Sequence, residues 1–226
     1  MFNWLKRSGD SGARGLEQMR ADFGQMLGDG RHMFNTAANA LLGGTDPDVI
    51  RQDLLETDKR INRAEQKIRR EIVVHATVHG TSEFPACLVL MSVVKDAERV
   101  GDYCKNLFDL TEMMPEPPSG EFKDDLVRLK DEISQLMADC HEAFDKEDKA
   151  SARALIKKAS ALKDICDDQV VRLVSHETEV RLAPAYVLAY RYFKRVASHS
   201  FNVATSVVQP IDKLDFSLQP DALDVE

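Results

Sequence analysis

Apolar residues recur along this chain at alternating steps of three and four, the mark of helices with one buried face. Leu16, Met19, Phe23, Met26, Met33, Ala37 and Ala40 form the first stripe, which "GGTDPD" ends at Gly43 and Gly44. Asp46 or Asp48 caps a second helix, carried by Ile50, Leu54, Ile61, Ala64 and Ile68 towards His75 and broken at Gly80. "TSEFP" supplies hydroxyl caps and an early proline for a third, through Val93, Ala97, Val100, Cys104 and Leu107 to Met113.

"MPEPPSG", Met114 to Gly120, reads as a linker, after which the pattern restarts. Phe122, Leu126, Leu129, Ile133, Leu136 and Cys140 mark a fourth helix. Leu155, Leu162, Ile165 and Leu173 mark a fifth, and Tyr186, Tyr190, Phe193, Val196, Val203 and Val207 a sixth. The expected fold is all-α: two tandem antiparallel three-helix bundles over residues 14–113 and 121–208, preceded by a flexible segment 1–13 and followed by an irregular tail 209–226. Helices of about 20 to 30 residues would span roughly 30 to 45 Å.

Composition narrows the function. With 43% hydrophobic and 30% charged residues among 226, the chain has material for a substantial core, and its 8 prolines and 11 glycines leave most of it free of helix breakers. No apolar run approaches the roughly 20 residues of a membrane span, and the start lacks a secretory signal's apolar segment, so a cytoplasmic location is expected. A net charge of -8 with no basic block argues against nucleic acid as partner. Cys87, Cys104, Cys140 and Cys166 fall within apolar patterns without CxxC spacing and read as reduced core residues.

A repeat lies beneath the helices. "VVKDAERVGDYCKNL" from Val93 aligns without gaps with "AYRYFKRVASHSFNV" from Ala189, ninety-six positions on, setting Arg99 on Arg195, Val100 on Val196, Gly101 on Ala197 and Asn106 on Asn202. In the first copy, Glu98 and Asp102 sit one helical turn apart. If the second and third helices form a hairpin turning near Gly80, Asp58 levels with Asp102 and Asn62 with Glu98. Four oxygen-bearing side chains then meet along one seam, a donor set suited to a hard or borderline cation. In the second copy, around a turn near Arg181, Asp164 levels with Ser198 and Asp168 with Lys194, which predicts a direct ion pair to Lys194 instead of a metal. A plainer reading needs no ion: Lys95, Arg99 and Lys105 stand near enough to offset the repulsion of the acidic pair.

At these residues the chain resembles the PhoU family of phosphate-uptake regulators. "ERVGDYCKN" at Glu98 to Asn106 and "ETDKRIN" at Glu56 to Asn62 carry the resemblance, and the two-copy plan extends it over nearly the whole chain. It implies a cytoplasmic, nonenzymatic regulator of phosphate uptake and phosphate-starvation signalling, acting on a membrane phosphate transporter and a phosphate-sensing histidine kinase, and a homodimer. It also implies iron, zinc or magnesium on paired acidic motifs, which maps onto Asp58, Asn62, Glu98 and Asp102 in the first copy and Asp164 and Asp168 in the second. "KRVASHSFN" departs from the family pattern by replacing both acidic positions of the sixth helix, which weakens the second site. His199, beside Ser198, could offer nitrogen to a metal but reads as a surface or partly buried histidine.

Other features change this less. Phe2, Trp4 and Leu5 beside Lys6 and Arg7 suit contact with a membrane interface or a transporter, and equally a loosely packed terminus. Two competing classes remain: a metal-free helical adaptor for another partner, and a carboxylate-bridged dimetal bundle enzyme. The second lacks the Glu-x-x-His spacing such enzymes use, and no G-x-x-x-x-G-K-[ST], G-x-S-x-G or H-E-x-x-H motif is present.

Overall fold

Six long helices form where the apolar stripes predict them in a computed structural model that describes residues 10–79, 82–114, 116–175 and 182–217. They are α1 (Asp10–Gly43), α2 (Pro47–His79), α3 (Phe84–Met113), α4 (Gly120–Lys146), α5 (Lys149–Val174) and α6 (Ala183–Val208), followed by a short 3-10 turn, Ile211–Lys213. α1 begins inside the segment 1–13 that was expected to be flexible, whose residues 1–9 lie outside the described residues along with the turn positions Gly80 and Arg181 and the tail beyond 217. No described helix is long and apolar enough to cross a membrane.

Local chemistry sets the helix ends. Gly44 takes a left-handed φ of 71°, which ends α1, and Asp46 Oδ1 accepts from the Asp48 backbone N–H at 3.0 Å, so Asp46 caps α2. Asp148 caps α5 by accepting from the Ala150 and Ser151 amides at 3.0 and 3.1 Å. Those bonds, and above all the Ser151 hydroxyl, hold its carboxyl below the usual aspartate range. α3 departs from expectation: its N-cap is Glu83, without a side-chain cap bond, and Pro85 opens the first turn. The linker is tied down at its end, since Tyr186 Oη donates to the Ser119 carbonyl at 2.7 Å and accepts from the Ser119 amide at 2.8 Å.

α1, α2 and α3 pack on one another, as do α4, α5 and α6, while α1 meets α4 and α3 meets α6 across the two units. The result is one continuous core: Phe23 and Phe144 stack edge to face at 4.8 Å between α1 and α4, and Phe34 and Phe193 do so at 5.2 Å between α1 and α6. Met19, Met26 and Met33 are buried in it. Each fully buried aromatic or methionine side chain contributes about 1.5–3 kcal/mol. Close helix approach has one strict requirement: a Cβ on Gly15 would lie 2.8 Å from His75 Nδ1, so the residue there must be glycine for α2 to seat His75 against α1.

All four cysteines are buried and unbridged. Burial pushes the Cys140 and Cys166 thiols up to about 12. The unfolded chain loses these protons near the ordinary thiol value of about 8.5 while the folded one keeps them. Stability is therefore unaffected by these groups below that value and falls as pH rises from there towards 12. Thermal unfolding followed from pH 8 upward should show this decline, and Cys140→Ala with Cys166→Ala should make it shallower, leaving the part that buried Cys87 and Cys104 contribute.

Candidate functional site

The α2–α3 hairpin brings Asp58 and Asp102 together around a lysine. Lys105 Nζ lies 2.9 Å from Asp58 Oδ1 and 3.0 Å from Asp102 Oδ1, with the three side chains only partly exposed. Burial opposes charge on this ammonium most strongly, yet its hydrogen bonds to Asp58 and Asp102 outweigh that and raise its pKa above the usual lysine value. Arg99 adds a second cation to Asp102 at 3.3 Å.

The other two seam residues turn elsewhere. Asn62 Nδ2 donates to Asp58 Oδ2 at 3.2 Å, so the amide points its hydrogens, not its oxygen, at the carboxylate. Glu98 is held by Lys95 at 2.6 Å, and Lys95 also stands 3.9 Å from Glu65. The expected pairing of Asn62 with Glu98 is thus replaced by two separate contacts, one with a neighbour along α2 and one along α3. As placed, these side chains do not fit a metal ion. An ammonium occupies the point where Asp58 and Asp102 converge, and among the described residues no three His, Cys, Asp or Glu side chains form a group able to hold a metal.

The second copy corrects its expectation by one residue. Lys194 forms its ion pair with Asp167, to which Arg191 also lies at 4.0 Å, and not with Asp164 or Asp168, both exposed. Burial of Cys166, rather than the half-buried Ile165, explains the shift. The core stripe of α5 runs through Leu155, Ala159, Leu162, Cys166 and Leu173, which rotates Asp164 and Asp168 outward and brings Asp167 to the flank facing α6. Ser198 donates to the Lys194 carbonyl at 2.8 Å within its own helix. Beside them Lys163 sits 4.1 Å over the Phe201 ring, and burial above all lowers its pKa.

A buried polar cluster joins the two copies. His199 Nδ1 donates to Asp96 Oδ1 at 2.8 Å, Asn202 Nδ2 donates to the same oxygen at 2.7 Å, and all three lie between α3 and α6. His199 is buried, where a surface or partly buried position was expected, and faces away from the seam it was weighed for. The repeat explains the placement. Tyr103 stacks on His199, its own counterpart ninety-six positions on, at 5.7 Å, and Tyr103 meets Tyr192, the counterpart of Asp96, at 6.2 Å. Arg195 completes the interface by donating from Nε to Tyr103 Oη at 3.0 Å. The gapless alignment held the signal; what it lacked was the sign that these aligned positions touch.

Among the described residues His199 Nε2 meets no hydrogen-bond partner, and it borders a cavity of about 20 Å³ lined by Asp96, Gly30, Met137 and Cys140, room for a single water. A larger groove of about 390 Å³ opens between Leu16, Pro85, Val89, Phe144, Val208 and Ile211, with the Arg20–Glu147 ion pair at 3.2 Å on its rim.

Comparison with known proteins follows the same two-copy division. The PhoU domain model matches the chain twice, over residues 23–111 and 126–207. A relative from Synechocystis sp., a phosphate-specific transport system accessory protein PhoU homolog, is 21% identical over 160 residues, covering 68% of this chain and 71% of that protein. The crystal structure of PhoU from Pseudomonas aeruginosa superposes with a TM-score of 0.73 at 21% identity, over 86% of this chain and 96% of that one. The phosphate transport system regulatory protein PhoU from Streptococcus pneumoniae gives 0.68 at 19% identity, over 85% and 93%. At such identities the structural likeness shows a shared fold.

Lys105 is the residue on which the first seam turns. Lys105→Met should cost about 1–2 kcal/mol in chemical denaturation, the cost of leaving two partly buried carboxylates facing each other. Adding Asp58→Asn and Asp102→Asn should recover most of it. Because folding raises the lysine's pKa, its contribution is complete below the unfolded value and is lost as pH rises from there through the raised one.

Proposed function

Because the chain belongs to the PhoU domain family, we propose that it is a nonenzymatic accessory regulator of a phosphate transport system, acting at the cytoplasmic face of the membrane. The observation that carries the reading is the double family match, one per three-helix unit, together with a relative whose name is that of a phosphate-specific transport accessory protein. The molecule's chemistry suits the role: its polar clusters are paired internally, with lysine on carboxylate in each seam and imidazole on carboxylate between the copies. Its partners in this reading are the membrane phosphate transporter and a phosphate-sensing histidine kinase, with the chain working as a homodimer; these finer assignments rest on the family resemblance.

Deleting the gene should raise phosphate uptake in phosphate-replete cells and change the starvation response, both measurable with labelled phosphate and a starvation-responsive reporter. Unchanged uptake and signalling would remove the proposal.

We further propose that this member keeps its seams closed with lysine and carries no resident iron, zinc or magnesium. The position of Lys105 between Asp58 and Asp102, and of Lys194 on Asp167, supports this. Elemental analysis of protein purified without chelator should find these metals well below one per chain, and chelator should leave the melting temperature unchanged. Stoichiometric retained metal overturns the assignment.

A further inference from the structure

The outer face of α2 carries charge that the fold does not use. Cations on its flanks are paired: Arg60 with Asp29 at 3.2 Å, Lys67 with Asp22 at 2.5 Å and Arg69 with Glu65 at 3.1 Å. Lys59, Arg63 and Arg70 are exposed and, among the described residues, take part in no ion pair or hydrogen bond. At 100° per residue these three point almost directly away from the buried stripe of Leu54, Ile61, Ile68 and Ile72, along one ridge. Val74 continues the ridge at 58% exposure, and Val73 and Val78, exposed by 61% and 68%, stand on its two shoulders. Its single acid near the start, Glu56, accepts from Gln52 at 2.5 Å, and Glu71 on the flank faces Lys67 at 3.9 Å.

We propose that this ridge is a docking surface for an anionic lipid bilayer. Valine has modest helix propensity, and at outward positions no packing offsets that deficit, so three valines there have no role in folding the helix. Beside unpaired cations they make the face of a helix that lies in a membrane interface, apolar groups at the acyl boundary and ammonium and guanidinium groups among phosphates. Shape favours lipid over an acidic protein. From Lys59 to Val78 this face runs about 28 Å along a single helix, a length a bilayer surface can follow throughout. A protein partner would instead need aromatic anchors, and the ridge carries no Phe, Tyr or Trp; the hollow of about 460 Å³ that Arg70, Val74 and Val78 border with Gly15 and Met19 has none either. The chain's charge of -8 does not forbid the contact, because salt limits each charge's reach to about 8 Å and the bilayer feels chiefly the ridge.

The test is flotation of the full chain with vesicles of phosphatidylcholine alone or mixed with phosphatidylglycerol, across a range of salt. Binding should appear on the mixed vesicles, be absent from the neutral ones, and weaken as salt rises. Each unpaired cation is worth about fivefold, so the combined Lys59→Glu, Arg63→Glu and Arg70→Glu variant should lose at least about a hundredfold in partitioning. Val73→Ser, Val74→Ser and Val78→Ser together should weaken binding while leaving its salt dependence intact. Circular dichroism confirms that these surface variants remain folded, and Lys157→Glu on α5 serves as a control that should bind as wild type. No binding to mixed vesicles at low salt, equal binding to neutral ones, or binding unaffected by the ridge variants overturns the proposal. Capture by immobilised polyglutamate without vesicle binding also overturns it, and assigns the ridge to an acidic protein.

Discussion

Packing of α3 against α6 is the constraint from which the rest follows. The two helices are counterparts in the repeat, and they meet around the stack of Tyr103 on His199 so that contacts on one side are echoed on the other. With α1 against α4 they make an inner layer whose apolar faces merge into one core. That leaves α2 and α5 outside, each packed only within its own unit. An outer helix has three kinds of position: a buried stripe, flanks against the neighbouring helix, and a ridge in solvent. The carboxylates of both seams lie on flanks, where half-burial makes an unpaired charge costly and the facing helix is close enough to supply a partner.

How far this was legible depended on how well each stripe could be located. In α2, isoleucines at 61 and 68 fix the stripe, so Asp58 could be placed opposite Asp102 from distance to the turn alone. In α5 the stripe uses Ala159 and Cys166, small residues that compete poorly with Ile165 for a reader of hydrophobicity. One position of error there is a rotation of 100°, enough to exchange Asp167 for its neighbours. The role of Lys105 was half visible. Its spacing from Asp102 marked it as a local counter-charge, but reaching Asp58 as well depends on a rotamer that spacing does not encode. His199 was misjudged because burial between repeats is a tertiary fact, invisible to the pattern of a single helix.

Lysine and a metal ion solve the same electrostatic problem with different consequences. A metal gathers several carboxylates into a fixed geometry and requires them to give up their water. An ammonium supplies one positive charge, three donors and a flexible stem, so it satisfies two carboxylates and leaves others to nearer partners. The first seam follows the second pattern: Asp58 and Asp102 share Lys105, while Glu98 is taken by Lys95. Lys194 in α6 occupies the position where the first copy has Glu98, so the same solution recurs from the corresponding helix of the second hairpin, at a different position along it.

The echo across α3 and α6 is imperfect at one place, with an evolutionary consequence. Asp96 meets His199, whereas the mirrored contact joins Tyr192 to Tyr103. A chain built from two first halves would set each buried Asp96 against a phenol ring, twice over, and one built from two second halves would give each His199 no carboxylate. The halves have therefore become complementary at this contact: each supplies what the other lacks, and a symmetric pair of either half alone would lose the imidazole–carboxylate bond that now joins them.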